Sequence, residues 1–233
     1  MTEPVVAAST YARWRQTTLG EITERVEERV VFDLAGSLRA RSVLDVGTGD
    51  GTYAIEAARR GAKVTGIDVD PAMLAAARSR SESSGVSVAL REARAEELPF
   101  DDGAFDVVLA VTVLCFVSDA RGAVREMARV LAPGGRLVLG ELGRFSVWAA
   151  ERRVRGWLGA STWKRARFWS QRELAELARD AGLHVVETRG SIFYPPLDVA
   201  ARLGASLEPL LTRLRAPGAA FLSLAAGKPE SQS

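Results

Sequence analysis

At 233 residues with 47% apolar side chains, the chain is long enough to bury a substantial core, which excludes disorder as its main state. Its 31 basic residues nearly cancel 29 acidic ones, so no chain-wide positive field draws it to nucleic acid. One cysteine, Cys115, and one histidine, His184, exclude an internal disulfide, a cysteine-based zinc site and the usual multi-histidine metal centres, and they leave little room for a serine–histidine triad.

In chain order, the N-terminus lacks the basic start and apolar stretch of a signal peptide. No apolar run anywhere reaches the roughly 18 residues of a membrane span. A cytoplasmic protein is expected. Residues 1–36 read as an N-terminal cap: Tyr11, Trp14 and Arg15, then an amphipathic helix carrying Ile22, Val26, Val30 and Leu34. Beyond it, short β-branched runs alternate with helical segments. The runs are Val43 to Val46, Val64 to Ile67, Val86 to Leu90, Phe105 to Val111 and Arg136 to Leu139, continuous in the way of strands buried on both faces. Thr52 toward Gly61 reads as the first intervening helix. Asp70 before Pro71 is an N-cap and first-turn proline. Val124, Met127, Ala128 and Leu131 form one apolar stripe before Pro133. Residues 143–169 interrupt the alternation and hold four tryptophans: Trp148, Trp157, Trp163 and Trp169. Ser170 and Glu173 have capping-box spacing, with Gly182 placed to end that helix. Leu183 to Val186 is a sixth strand and Ala220 to Ala226 a seventh. The polar end from Lys228 is expected to fray, with the domain closing at 229 and a tail at 230–233. This pattern predicts a doubly wound α/β domain.

The segment richest in chemistry is Val43-Leu44-Asp45-Val46-Gly47-Thr48-Gly49-Asp50-Gly51-Thr52. A buried strand runs into a glycine loop and then a helix, whose free N–H groups favour an anion. Asp68 ends the second strand 21 residues after Gly47, where a carboxylate can bind both hydroxyls of a ribose. The dinucleotide fingerprint G-x-G-x-x-G would need glycine at position 52, which is Thr52. The spacing here is G-x-G-x-G behind a strand-borne acid, Asp45.

With that loop the chain resembles the class I S-adenosylmethionine-dependent methyltransferases, in the small-molecule branch (methyltransferase type 11) related to quinone-pathway C-methyltransferases. The resemblance continues through Glu97-Leu98-Pro99-Phe100 and Gly103-Ala104-Phe105-Asp106-Val107-Val108. It extends to Arg129-Val130-Leu131-Ala132-Pro133-Gly134-Gly135-Arg136-Leu137, to 168–182 and to 219–229, covering about 37–229 in order. It implies a Rossmann-like, seven-stranded, mostly parallel sheet with an antiparallel last strand and helices on both faces. The implied domain at 37–229 carries a substrate-lid insertion at about 143–169. The implied cofactor is S-adenosylmethionine, leaving as S-adenosylhomocysteine, and the implied partner a small-molecule acceptor.

The same resemblance assigns roles. Gly47, Thr48, Gly49 and Gly51 pack on the methionine part of the cofactor with Asp45 beneath, and Asp68 holds the ribose. Val69 and Met73 flank the adenine, and Ala95 and Glu96 face its edge. Thr112 and Val113 lie near the sulfonium. Relatives often carry Gly-Asp-Ala where this chain has Ala93-Arg94-Ala95, and arginine offers the adenine amino group no acceptor. Glu96 or a backbone carbonyl is the expected substitute. Tyr11, Trp14 and Trp148 are placed at the acceptor lid.

Plainer structural readings stand beside these. Asp45 can simply cap nearby amides, and Asp68 can be a solvated acid ahead of a helix. Cys115 as a lone thiol is more often a small buried hydrophobe than a nucleophile, and His184 belongs to a strand away from the site. Between Arg144 and Arg172 lie eight basic residues against Glu151 alone. That segment reads as a lid, a nucleic-acid patch, a weak membrane-surface contact, or a solvated helix face with inward tryptophans. No histidine is placed as a base for an unactivated hydroxyl, which favours an amine, thiol or acidified carbon. Tyr11, Cys115 and Tyr194 are the candidate catalytic side chains, and no metal is expected. An RNA methyltransferase and a non-catalytic S-adenosylmethionine-binding module are the competing functions. Against RNA, the fourth strand ends Ala110-Val111-Thr112-Val113-Leu114, without the Pro-Pro-aromatic or Pro-Cys signatures of base methylators.

Overall fold

The computed structural model describes residues 13–214 and 216–230. Helix α1, Thr18–Ala35, opens on the Thr17 side chain, which accepts from the Gly20 N–H. Strand β1 is Ser42–Val46, α2 Thr52–Arg59, β2 Lys63–Asp68, α3 Pro71–Ser83, β3 Val88–Glu92 and β4 Phe105–Val111. Helix α4, Ala120–Val130, passes directly into β5, Leu131–Leu142. Then follow α5 at Val147–Trp157, α6 at Ser161–Arg165, α7 at Gln171–Asp180 and β6 at His184–Ser191. Helices α8 at Asp198–Gly204 and α9 at Glu208–Arg213 precede the last strand, β7 at Phe221–Gly227.

The seven strands lie in the order β3-β2-β1-β4-β5-β7-β6. Strands β1 to β5 pair in parallel, while β7 enters antiparallel between β5 and β6. This is the expected doubly wound sheet with its antiparallel last strand. Period-two alternation divides the core. Leu44, Val46, Val108 and Ala110 face Val124 and Met127 of α4 and Leu174 of α7. Val43, Val107, Leu109 and Val138 face Val30 and Leu34 of α1 and Ala54 of α2. The central strands are buried on both faces, which is why they read as continuous apolar runs.

Local end signals acted as expected. Asp70 caps α3 by accepting from Ala72 N at 2.9 Å, and the reciprocal capping box of Ser170 and Glu173 opens α7. The third strand begins at Val88, two residues later than its apolar run, because Val86 N–H is taken by the Ser81 carbonyl at the end of α3. Helix α1, read as a cap, is also a core layer. Its second half buries Val30, Val31 and Leu34, and Arg136 Nη1 donates to the Leu34 carbonyl at 3.0 Å.

Lys228, expected in the frayed end, is instead anchored. Its Nζ donates to the carbonyls of Ala128, Arg129 and Leu131 at 2.8, 3.2 and 2.7 Å, closing the C-terminus of α4. Lys228→Met is expected to cost about 1–2 kcal/mol, because charge-assisted bonds are lost while the apolar stem is kept. A denaturant midpoint equal to that of the unsubstituted protein would refute the anchor.

Candidate active site

The sheet order reverses between β1 and β4, the crevice where doubly wound sheets take ligands at the carboxyl ends of their strands. Asp45 shares the face of Val43 and therefore points toward α2. It is 1% exposed and accepts from Thr48 Oγ1 at 2.6 Å and from the Ala54 backbone N–H. Burial pushes its carboxyl up to about 7 against those two donors. The capping reading of Asp45 thus describes its contacts, and those contacts fix the loop from beneath. Thr48 N donates to the Ile67 carbonyl at 2.8 Å, tying the loop to β2.

Gly47 has φ 67°, and a Cβ there would stand 2.5 Å from Val113 Cγ2. Gly47→Ala therefore adds a left-handed strain of about 1–2 kcal/mol to a clash with the residue after Thr112. The expected result is a loss of at least about tenfold in S-adenosylmethionine affinity by calorimetry, since 1.4 kcal/mol is tenfold. Unchanged affinity would show that loop and post-β4 segment do not form one surface. Gly49, with φ 55°, faces open space where its Cβ would point.

Asp68 closes the loop from the β2 side. Its Oδ2 accepts from Gly49 N at 2.8 Å and its Oδ1 from Asp70 N at 2.9 Å. Burial raises its pKa, opposed by the N–H groups of Asp70, Gly49 and Val69. Neighbouring Val69 is an apolar side chain left 57% exposed, and Met73 is half-buried. Beyond β3, Ala95 is buried. Glu96 accepts from Ser118 Oγ at 3.2 Å and from Arg94 Nη2 at 3.3 Å, while Arg94 points into solvent. At the tip of β4, Thr112 holds φ 54°, a left-handed conformation costly for a residue with a branched Cβ. The structure thus gathers the loop, Asp68, Val69, Met73, Ala95, Glu96, Thr112 and Val113 along the carboxyl ends of β1 to β4.

A buried carboxylate that the sequence reading passed over supports that strained tip. Glu141 on β5 is 0% exposed and accepts from Val113 N at 3.0 Å, Leu114 N at 2.6 Å and Cys115 N at 3.2 Å. Burial pushes it up to about 8, opposed by those N–H donors. Also unforeseen is a charge network on the loop's outer side. Asp50, 5% exposed, pairs with Arg80 at 2.7 Å and with Arg15, which also reaches Glu24 at 3.1 Å and the Thr52 hydroxyl. No motif marks these residues, since Arg15 and Asp50 meet only through folding.

Of the remaining residues, Cys115 and His184 stand as their plainer readings had them. Tyr11 lies outside the described residues. Trp14 is half-buried and packs on the α1–α2 core. Trp148 is 5% exposed and donates from Nε1 to the Tyr194 carbonyl at 2.8 Å, so it is a buried pillar under the expected lid, not a lid surface. The Tyr194 hydroxyl lies 3.2 Å from Thr23 Oγ1, and burial raises it to about 12, which removes it as a ready base. Cys115 is 1% exposed, its thiol donates to the Thr112 carbonyl at 3.3 Å, and burial holds it well above its usual range, the reverse of an activated nucleophile. His184 begins the edge strand β6, exposed and far from the loop in the sheet order. Among the segment's tryptophans Trp169 is fully buried, Trp163 half-buried and Trp157 exposed. The segment leaves and rejoins the body at one point, where Trp169 N donates to Leu142 O and Arg144 N to Trp169 O.

A doubly wound sheet whose crevice holds an acid under a glycine loop and a second acid at the next strand's tip defines a nucleotide-type cofactor binder. The chain matches the model of the methyltransferase domain over residues 44–139. It is 36% identical to a ubiquinone biosynthesis O-methyltransferase of Pseudomonas paraeruginosa over 171 residues, 70% of this chain and 73% of that one. It is 44% identical to a demethylmenaquinone methyltransferase of Thermus thermophilus over 113 residues, 48% of this chain and 51% of that one. The solved structure of a SAM-dependent methyltransferase from Thermotoga maritima, a possible histamine N-methyltransferase, superposes with TM-score 0.71. That pair is 27% identical, with 94% of this chain and 95% of that one covered. This chain belongs to the class I S-adenosylmethionine-dependent methyltransferases. It is an enzyme, its methyl donor is S-adenosylmethionine, and no described helix is long and apolar enough to cross a membrane.

Proposed function

We propose that this enzyme methylates a hydroxyl of a small aromatic acceptor of the quinone-precursor kind, acting in the cytoplasm. The observation that carries the reading is the intact crevice, Gly47-x-Gly49-x-Gly51 with Asp45 below and Asp68 beside it, in a chain similar over most of its length to a ubiquinone biosynthesis O-methyltransferase. The residues fit the donor: Gly49 opens onto free space, Asp68 retains lone pairs beyond those used by Gly49 and Asp70, and exposed Val69 offers an apolar face to an adenine ring. In this reading the loop takes the methionine part, Asp68 the ribose hydroxyls, Val69 and Met73 the adenine faces, and Ala95 the adenine edge. Glu96 replaces the acid absent at Arg94. Thr112 and Val113 border the reacting end.

When bound, S-adenosylmethionine supplies a methyl group on a sulfonium, an electrophile that needs no further activation. The protein's task is then to align the acceptor oxygen and to exclude water. The strained Thr112 tip, locked by Glu141, is suited to that alignment. Residues 143–169, closed on themselves at Trp169 and Leu142, serve as the wall or lid over the acceptor in this domain plan, with α1 covering the other side. An RNA acceptor is not favoured, since β4 ends without the base-amine signature. The test is calorimetry with S-adenosylmethionine and S-adenosylhomocysteine, followed by labelled methyl transfer to catechols, hydroxyquinols and arylamines. Transfer to amines but not to hydroxyls would replace the acceptor assignment and leave the cofactor site standing.

A further inference from the structure

The charge network on the outer side of the glycine loop has no part in the cofactor contacts described so far. Gly47, Gly49 and Gly51 hold φ 67°, 55° and 88°, so the loop is built on the residue type that resists distortion least. Asp45 holds it from beneath and Asp68 from the β2 side. Asp50 is the third tether. Its carboxylate meets Arg80 of α3 at 2.7 Å, and Arg80 also donates to the Asp50 carbonyl at 3.0 Å and to Thr52 Oγ1 at 3.1 Å. The second carboxylate oxygen of Asp50 meets Arg15, which lies in the turn before α1. Arg15 reaches the Thr52 hydroxyl as well and, at 3.1 Å, Glu24 of α1. The Arg15 and Asp50 side chains are 10% and 6% exposed, so solvent screens the pair little.

The turn that carries Arg15 is held in place by a separate device. Thr17 donates to the Trp14 carbonyl from its backbone N–H at 3.0 Å and from its hydroxyl at 2.7 Å. The chain then folds back onto the first turn of α1, where a Cβ on Gly20 would collide with the Trp14 carbonyl and stand 2.9 Å from Arg15 Cα. Alanine is the better helix former at such a position, so what glycine supplies there is room for the turn. We propose that Arg15 is a positioning residue of the cofactor site. Seated by Gly20, it acts through Asp50 to fix the loop on which the methionine part of S-adenosylmethionine lies. The inference rests on the placement of the cofactor against that loop given above. Asp50 is gripped by Arg80 from α3 and by Arg15 from the segment before α1, so the loop is ordered before the cofactor arrives. Binding then carries less of the cost of ordering it.

Arg15→Met keeps an apolar stem and removes the charged fork. By calorimetry well below the melting point it is expected to bind S-adenosylmethionine and S-adenosylhomocysteine about tenfold more weakly. That is the low end of the roughly 10- to 100-fold typical of groups that orient the direct ligands of a metal. Arg15→Lys, a point charge without the fork, should recover part of the loss. Gly20→Ala touches no charge and should produce a loss of the same size by displacing the turn. Because Arg15 acts through Asp50, adding Arg15→Met to Asp50→Asn should cost less than about twofold beyond Asp50→Asn alone. A merely structural role would lower the melting point by circular dichroism without this coupled loss of affinity in the folded protein. Arg15→Met within about twofold of the parent, or losses that multiply in the double variant, overturns the proposal. Should Arg15→Met fail to fold, Gly20→Ala with the parent's affinity overturns it alone. Gly47→Ala tests the placement itself. If it too binds as tightly as the parent, the loop is not the cofactor's seat and the role of Arg15 falls with it, whereas a loss confined to Gly47→Ala removes Arg15 only.

Discussion

Asp68→Ala is expected to weaken S-adenosylmethionine binding by about 100-fold. Two charge-assisted bonds to ribose hydroxyls are worth roughly 3 kcal/mol together, and every 1.4 kcal/mol is tenfold. The structure adds a second loss, because the same carboxylate accepts from Gly49 N and Asp70 N and so holds the glycine loop against the start of α3. Asp68→Asn separates the two. It keeps one acceptor oxygen and the shape, so an intermediate loss of about tenfold is expected. Since burial raises the pKa of Asp68, affinity should fall on acidification as the carboxylate takes up a proton. Calorimetry that finds Asp68→Ala as tight as the parent would remove the ribose assignment and return Asp68 to a purely structural acid.

The largest stability effect is expected at Glu141. Removing its carboxylate in Glu141→Ala strands the buried N–H groups of Val113, Leu114 and Cys115, each costing about 1–3 kcal/mol. A total near 3–5 kcal/mol translates to a melting point lower by roughly 6–20 °C for a chain of this size. Turnover should fall further than stability, because the released segment carries Thr112. The pH dependence has a definite sign. The folded carboxyl titrates at about 8 and its usual value is 4.5, so the folded state keeps a proton that the unfolded chain gives up in between. Its contribution is complete below the usual value and is lost as pH rises through 8, so melting should drop over that window. Glu141→Gln should flatten that part of the slope. A melting point that rises from pH 5 to 8, with no change in slope on substitution, would contradict the assignment.

The readable parts of this fold were those written locally. The β1 run, the glycine spacing and the Asp70-Pro71 and Ser170–Glu173 caps each depend on residues within a few positions of one another. The structure bears them out almost residue for residue. Helices α8 and α9 were not foreseen, and α5 and α6 only as a solvated helix face, one of the readings of their segment. Their apolar residues include Val154, Trp157, Leu203 and Leu210, all largely exposed, so no clean inward stripe announced them. Trp148 read as a lid residue because sequence shows an aromatic but not its burial. Its Nε1 partner is a carbonyl 46 positions away.

The candidate site divides in the same way. Sequence alone determined the class of the protein: glycines at 47, 49 and 51 behind Asp45, with Asp68 on the next strand, because backbone approach and left-handed φ demand those residue types at that spacing. Only the tertiary structure decided what stands around them. Glu141 meets the 113–115 amides across β4 and β5. Arg15 meets Asp50 from outside the loop, and Glu27 comes to Tyr53 and Arg152 from three separate helices. On α1, Glu27 looks like one more charge on a solvated face, and composition prices it as one. Burial raises its carboxyl and Glu24 and Glu28 of its own helix add to the rise, while Arg152 and Tyr53, distant in sequence, oppose it, and both the burial and the distant partners exist only once the chain has packed.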